Sequence, residues 1–117
     1  MEEVNNSILA SIKRLLGIPE FDKTFDVDLT VIINAELANL IQMGVGPQEG
    51  FTITDETSTW FDFLGDNVYK QTQAQLYVFA KTKITFDSSN LSSTAVASYE
   101  KIAEECSYRL YTSAGQY

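Results

Sequence analysis

This chain of 117 residues contains no histidine, one cysteine and two prolines. Without histidine it lacks the commonest general acid–base group and the commonest metal ligand of proteins. Its single cysteine, Cys106, cannot form a disulfide within the chain, and a Cys–His nucleophile is excluded. The composition therefore predicts neither a conventional catalytic centre nor a disulfide-stabilised domain.

Long hydrophobic stretches are also missing. No apolar run approaches the roughly 20 residues that a membrane-spanning helix needs. The acidic, polar start, MEEVNNS, is unlike a secretory signal peptide. We therefore expect a protein that has no membrane segment and that resides in a reducing compartment.

Phosphate and metal sites find little support. The GVGP turn at 44–47 has no downstream Gly-Lys and no preceding strand, which argues against a phosphate-binding loop. Asp26 and Asp28 are explained more simply by a helix start. Asp55 and Glu56 have no nearby basic residue that would hold a phosphate. We expect no metal site and no cofactor.

Basic residues are scarce. The chain has eight lysines and arginines and sixteen acidic residues, so its net charge is −8. Residues 20–66 hold ten of these acids and one base, Lys23, whereas the rest of the chain is nearly balanced. Simple nucleic-acid binding needs cations that neutralise phosphates, so this charge argues against it. Two explanations stay open: an ordinary soluble surface, or a surface that must not adhere to DNA that passes it.

The spacing of apolar residues predicts an all-α single domain over residues 1–117. Four main helices and one short helix that ends near Leu64 are expected. The main helices are predicted over residues 7–16, 27–43, 67–86 and 93–112. The helix at 67–86 has two apolar faces, which predicts a central position in the bundle. Alternating apolar and polar residues also permit a short extended segment at 51–54.

Short polar residues at the predicted helix starts are candidate N-caps. These are Asn6 or Ser7, Asp26, Thr57 or Ser58, and Asp66. In the last helix, Cys106 falls on the apolar stripe, so we expect it to be buried as a structural residue.

Glu36 is the charge that the helical pattern explains least. It lies three residues after Ile33 and four before Leu40, so it points into the apolar stripe of its helix. One interpretation is that the edge of the stripe is solvated there. The other is that Glu36 meets a cation of the same or a neighbouring subunit, such as Arg14 or Arg109, because a lone buried carboxylate is costly.

Aromatic residues provide candidates for contacts with other subunits. Trp60 and Phe63 are three residues apart and are expected to share the core side of the short helix. Phe61 would then face outward, where aromatic residues often dominate interfaces. The last helix carries a second group away from its stripe: Tyr108, Arg109 and Tyr111. These three fit an interface anchor or an ordinary amphipathic surface.

Several segments, in their order along residues 8–112, resemble the head–tail connector family of long-tailed bacteriophages. They are LLGIPEFDKTFDVDL, IINAELANLIQMGVGP, GFTI, TWFDFLGD, a long aromatic-rich helix ending in ITFD, and a last helix closing with SYRL. GVGP with its following GF and the Trp…Phe-Leu helix are the most specific parts. Glu36 departs from the small or apolar residue expected at its place in this family.

The resemblance implies a structural virion protein, not an enzyme, and no cofactor. Copies of such adaptors form a closed ring, usually twelve-fold, below the portal protein. The ring extends the DNA channel, lets DNA pass without specific binding, and presents a platform for the next head-completion, stopper or tail protein. It would be assembled in the host cytoplasm and located at the head–tail interface of the virion, away from any membrane. The C-terminal region of the family docks on the portal, which implicates Tyr108, Arg109 and Tyr111.

A closed ring needs contacts between unlike faces of neighbouring copies. The candidate subunit-interface residues are Glu36, Phe61, Lys70, Lys81 and Lys83. The lysines could face the acidic segment 20–66 of a neighbour, or some of those acids could line the channel and repel phosphate. The alternative function is a small dimeric helical interaction or regulatory domain without a role in the virion. A nuclease with an acidic site is the remaining and remote alternative.

Overall fold

The structure, a computed structural model, describes residues 6–113. That range contains five α-helices and no β-strand. They are α1 (Ile8–Leu16), α2 (Asp26–Gln42), α3 (Trp60–Leu64), α4 (Val68–Phe86) and α5 (Ser93–Ser113), with a 3-10 turn at Ser88–Asn90 between the last two. The all-α prediction is confirmed, and each of the four long helices begins and ends within one residue of its predicted bounds.

The central helix is α4, as predicted, and it packs against α1, α2, α3 and α5. Its Ala74, Val78 and Thr82 are fully buried. Val68 and Tyr69 at its start are 69% and 51% exposed, so the two predicted apolar faces are not buried over the first turn. The first buried residue of α4 is Ala74, so the first turn of the helix extends beyond the packed core.

The N-caps of α3 and α4 differ from the predicted residues. Thr57 or Ser58 was expected to cap α3, but Thr59 does so in a reciprocal capping box with the third helical residue. Asn67, not Asp66, caps α4 and accepts a hydrogen bond of 3.0 Å from the N–H three residues on. In both cases a neighbouring residue with a suitable oxygen has the extended backbone that the cap position requires.

The segment 51–54 is irregular and is not a strand. Asn34 of α2 holds it by a pair of hydrogen bonds to the backbone of Ile53. The Asn34 Oδ1 atom accepts from the Ile53 N–H at 2.7 Å, and its Nδ2 donates to the Ile53 carbonyl at 3.0 Å. These two bonds satisfy the backbone groups that a neighbouring strand would otherwise satisfy. The Ile53 side chain can then be buried at 1% exposure.

The GVGP turn is specified by close packing. Gly46 has φ +94°, and a Cβ added there would lie 2.6 Å from Cε1 of Phe63. The Phe63 ring also contacts the rings of Phe51 and Trp60, with centroids 5.1 and 6.4 Å away. Both the backbone conformation and the close approach require glycine at this position.

Candidate functional site

A buried lysine fixes the loop between α1 and α2. Lys13 is 2% exposed, and its Nζ atom lies 2.8 Å from Oδ1 of Asp26. The same ammonium group donates hydrogen bonds to the carbonyl oxygens of Asp22 at 2.7 Å and Glu20 at 3.2 Å. Two of its N–H donors therefore bind carbonyl oxygens, and the Asp26 carboxylate adds a close ion pair that lacks hydrogen-bond geometry. The loop is therefore held against α1 at two backbone positions and at the start of α2.

Sequence reasoning missed this anchor and assigned Asp26 as an N-cap. Asp26 is the first residue of α2, the cap position belongs to Phe25 without a side-chain bond, and the Asp26 carboxylate pairs with Lys13 instead. A signal was present in the sequence. Leu9, Lys13 and Leu16 stand at i, i+4 and i+7 on α1, so the lysine lies within the apolar stripe.

The side of α2 that faces away from the core carries no charge. The buried residues Leu29, Ile33 and Leu37 define the inner side. Gln42 is exposed on the opposite side in the last turn of α2, and Asp28 and Asn39 are exposed at the edge of that side. The other exposed residues there are the apolar Val27, Val31, Ala35 and Ala38, with Val27 at 76% and Val31 at 66% exposure. We call these four residues the α2 outer face. A surface helix normally presents polar side chains to water, so α2 is unusual in being apolar on both sides.

Two grooves flank the α2 outer face, and Val31 lines both of them. One groove, of about 320 Å³, is also lined by Leu9 and Ile53. The other, of about 600 Å³, is also lined by Phe25 and Phe86, whose rings meet edge-to-face with centroids 5.2 Å apart. Val31 therefore forms a ridge between two partly apolar depressions.

Carboxylates rim both grooves. Asp28 and Asp87 line the larger groove, and Asp55 lines the smaller one. Asp87 is paired with Lys83 at 2.7 Å, whereas Asp28 has no ion-pair partner within residues 6–113. Hydrogen bonds from the Thr57 hydroxyl and N–H hold the pKa of Asp55 below its ordinary value. The margin of the α2 outer face is therefore negatively charged.

Glu36 is 9% exposed and accepts a hydrogen bond of 3.0 Å from Nδ2 of Asn39. In the part of the chain that the structure describes, it forms no ion pair. The solvated edge and the pairing with Arg14 or Arg109 of the same chain are therefore both wrong. Burial, and secondly the charge of Glu36, raise the pKa of nearby Tyr77, while the Asn39 side chain acts in the opposite direction. A contact of Glu36 with a neighbouring copy stays a prediction.

The short helix α3 divides its aromatic residues as the sequence predicts. Trp60 and Phe63 are 1% and 3% exposed. The Trp60 Nε1–H donates to the hydroxyl oxygen of Ser11 at 2.9 Å, so the indole joins α3 to α1. Phe61 is 54% exposed on the opposite side, and its role in a subunit contact stays a prediction.

The helices α2 and α4 carry opposite charges. The α4 sequence contains three lysines and no acid, whereas the α2 sequence contains three acids and no base. Lys83 is paired with Asp87. Within the described range, Lys70 and Lys81 have no carboxylate at ion-pair distance, so their charges are available to another molecule.

The predicted portal-docking residues lie on the outer side of α5. Tyr108 and Tyr111 are 68% and 54% exposed. Arg109 donates a hydrogen bond of 3.3 Å to Oε1 of Gln73 on α4, so its guanidinium group is turned towards the neighbouring helix. Cys106 is buried, as predicted, and burial raises the pKa of its thiol. Portal docking by Tyr108, Arg109 and Tyr111 stays a prediction.

The described residues hold neither a cluster of metal-ligating side chains nor a membrane-spanning helix. Over residues 6–113, no three or more Asp, Glu, Cys or His side chains cluster as metal ligands would. In the same range, none of the helices combines the length and the apolar character needed to cross a membrane.

Nearly the whole chain matches a known protein family. A family model described as phage connector protein matches residues 8–116. No curated protein and no solved structure matches the chain. The matched region begins with α1 and contains all five helices and the loops between them, and the family is a structural one. The chain therefore belongs to the phage connector protein family.

Proposed function

We propose that this protein is an adaptor that forms a ring below the portal, joins the capsid to the tail and extends the DNA channel. The family match over residues 8–116 is the observation that carries this proposal. The α2 outer face adds support, because an uncharged, exposed helix side is typical of a surface that another protein covers. The ring would contain about twelve copies, the number implied by the family resemblance.

The proposed contacts between neighbouring copies involve Phe61 and the lysines of α4. Phe61 is a large exposed aromatic residue, and Lys70 and Lys81 have no ion-pair partner within the described chain. Lys83 would contribute less, because Asp87 already neutralises it. Glu36 would take part only if assembly uncovered it.

The outer side of α5 is the proposed portal-docking surface. Tyr108 and Tyr111 expose amphipathic rings beside Arg109, a combination that is enriched at protein interfaces. The opposite end of the ring would then bind the next head-completion, stopper or tail protein. Assembly would take place in the host cytoplasm, and the mature location would be the head–tail interface of the virion.

The acidic segment 20–66 supports a channel that does not bind DNA. A wall that carries negative charge repels phosphate, so DNA would pass without specific contacts. The same charge makes copies repel one another, so local opposite charges and apolar contacts must close the ring. Ring formation should therefore depend on ionic strength.

The proposal is tested by mixing this protein with the portal protein of the same phage and imaging the product by electron microscopy. We expect a ring of this protein stacked on the portal ring. Mass measurement of the protein alone is the companion experiment. A stable dimer that gives no larger species when the portal is added would overturn the proposal and favour a dimeric interaction domain.

A further inference from the structure

We infer that the α2 outer face binds a second copy of this chain, and that the second copy presents the start of its α4, around Tyr69. This inference rests on the proposed ring, and it names the two surfaces that meet. Its first support is the exposure of Val27 and Val31, which leaves two branched apolar side chains in water on adjacent turns. Burial of such side chains stabilises an interface.

The shape of the surface favours a helix or a helix end as the occupant. Val31 stands as a ridge between two grooves of about 320 and 600 Å³. Helices pack by placing the side-chain ridges of one partner into the grooves of the other. The two grooves on either side of this ridge can therefore each accept a side chain of a second helix. The small residues Ala35 and Ala38 let such a helix approach closely.

The charge around the α2 outer face favours a partner that carries a positive charge. Its rim is negative because Asp28 and Asp55 are exposed and have no basic partner within residues 6–113. A fitting partner combines exposed apolar side chains with an unpaired cation. The start of α4 has this composition, since Val68 and Tyr69 are 69% and 51% exposed.

Lys70 supplies the cation at this end of α4. It is partly exposed, and no carboxylate of residues 6–113 lies at ion-pair distance from it. Asp66, one turn earlier, is exposed and lies beyond ion-pair distance of Lys70. The side chain of the N-cap Asn67 accepts a hydrogen bond from the Lys70 N–H, so Tyr69 and Lys70 lie in a capped first turn of the helix.

The same charges favour contact between the α2 outer face of one copy and the α4 start of another over contact between two α2 outer faces. Two α2 outer faces placed against each other would bring the Asp28 carboxylates of both copies together, and like charges across an interface are unfavourable. The α2 outer face against the α4 start places Asp28 and Asp55 opposite Lys70. This contact leaves the α4 start of one copy and the α2 outer face of the other copy free. Such a head-to-tail contact can repeat until a ring closes.

Disulfide trapping tests this pairing. Val31→Cys and Tyr69→Cys are made in separate chains, mixed at high concentration under mild oxidation and separated on a non-reducing gel. Both positions are exposed, and the native Cys106 is 1% exposed, so wild-type protein serves as the background. We expect a mixed dimer that exceeds, severalfold, the yield from Val31→Cys mixed with Ala97→Cys, an exposed position on α5.

A chain that carries both substitutions extends the test. Head-to-tail contact predicts a ladder of disulfide-linked species larger than a dimer. A Val31→Cys homodimer that exceeds the mixed dimer, or a mixed yield no higher than the Ala97→Cys control, overturns the inference. The portal-binding experiment is independent of these outcomes. If rings still form on the portal without this disulfide, the ring proposal stands and only the pairing of these two surfaces is wrong.

Discussion

The ammonium group of Lys13 lies 2.8 Å from the carboxylate of Asp26, and the lysine is 2% exposed. This ion pair joins the middle of α1 to the first residue of α2. Because the same ammonium also binds two carbonyl oxygens of the intervening loop, one side chain ties both the loop and the start of α2 to α1.

Replacing Lys13 with Met should destabilise the protein by about 3 kcal/mol, because it leaves a largely buried carboxylate and two carbonyl oxygens without partners. Urea unfolding followed by circular dichroism measures the change. Lys23→Met, at an exposed position of the same loop, is the matched control and should change stability by less than about 0.5 kcal/mol. Equal effects of the two substitutions would show that the Lys13 ion pair is not what holds the loop.

Thr82 of α4 offers a prediction of the opposite sign. Its side chain is 0% exposed, and its hydroxyl oxygen has no hydrogen-bond partner within the described residues. An unsatisfied buried hydroxyl costs about 1 kcal/mol or more. Thr82→Val keeps the volume and removes the hydroxyl, so we expect equal or higher stability in thermal unfolding.

Thr82→Ala provides the contrast for this position. It also removes the hydroxyl, but it leaves space in a packed core and should therefore lower the stability. If Thr82→Val were as destabilising as Thr82→Ala, the Thr82 hydroxyl would form a hydrogen bond in the folded protein. The premise that this hydroxyl is unsatisfied would then be wrong.

The helices could be predicted from sequence because their apolar residues repeat with a helical period and their ends are marked locally. Gly17, for example, has φ +83° and ends α1, as glycine after a helix commonly does. The N-cap residues of α3 and α4 could not be identified in the same way. Thr59 and Asn67 each stand beside another polar residue, and only the backbone conformation decides which of them accepts the hydrogen bonds.

Contacts between distant segments could not be predicted in this way. Asn34 and Ile53 form two hydrogen bonds although they are 19 residues apart in the chain. No sequence pattern at either position predicts which residue it contacts. The α2 outer face was missed for a related reason. Val27 and Val31 extend the apolar pattern of the helix, and the sequence alone does not show which of two apolar sides of a helix stays exposed. Phe61 was assigned correctly to the outside because the other two aromatic residues of α3 define one side.

Gly46→Ala should destabilise the protein by about 2 kcal/mol or more, through a strained backbone and a clash with the Phe63 ring. Gly50→Ala is the control, because Gly50 also has a positive φ, +111°, but open space where the Cβ would lie. The difference between the two substitutions in urea unfolding isolates the ring contact. If Gly50→Ala proves equally destabilising, backbone strain alone accounts for the glycine at 46.

Tyr77 should make the stability depend on pH in the alkaline range. Burial, and secondly the charge of Glu36, raise the pKa of Tyr77 above its ordinary value of 10.0. The unfolded chain therefore loses this proton at a lower pH than the folded chain, so the contribution is constant below about pH 10 and stability falls as the pH rises further. Tyr77→Phe should reduce that fall in urea unfolding, and Glu36→Gln should lower the midpoint of Tyr77 ionisation followed by tyrosinate absorbance. An unchanged alkaline slope in Tyr77→Phe would assign the loss of stability to other groups, such as the buried Cys106 thiol.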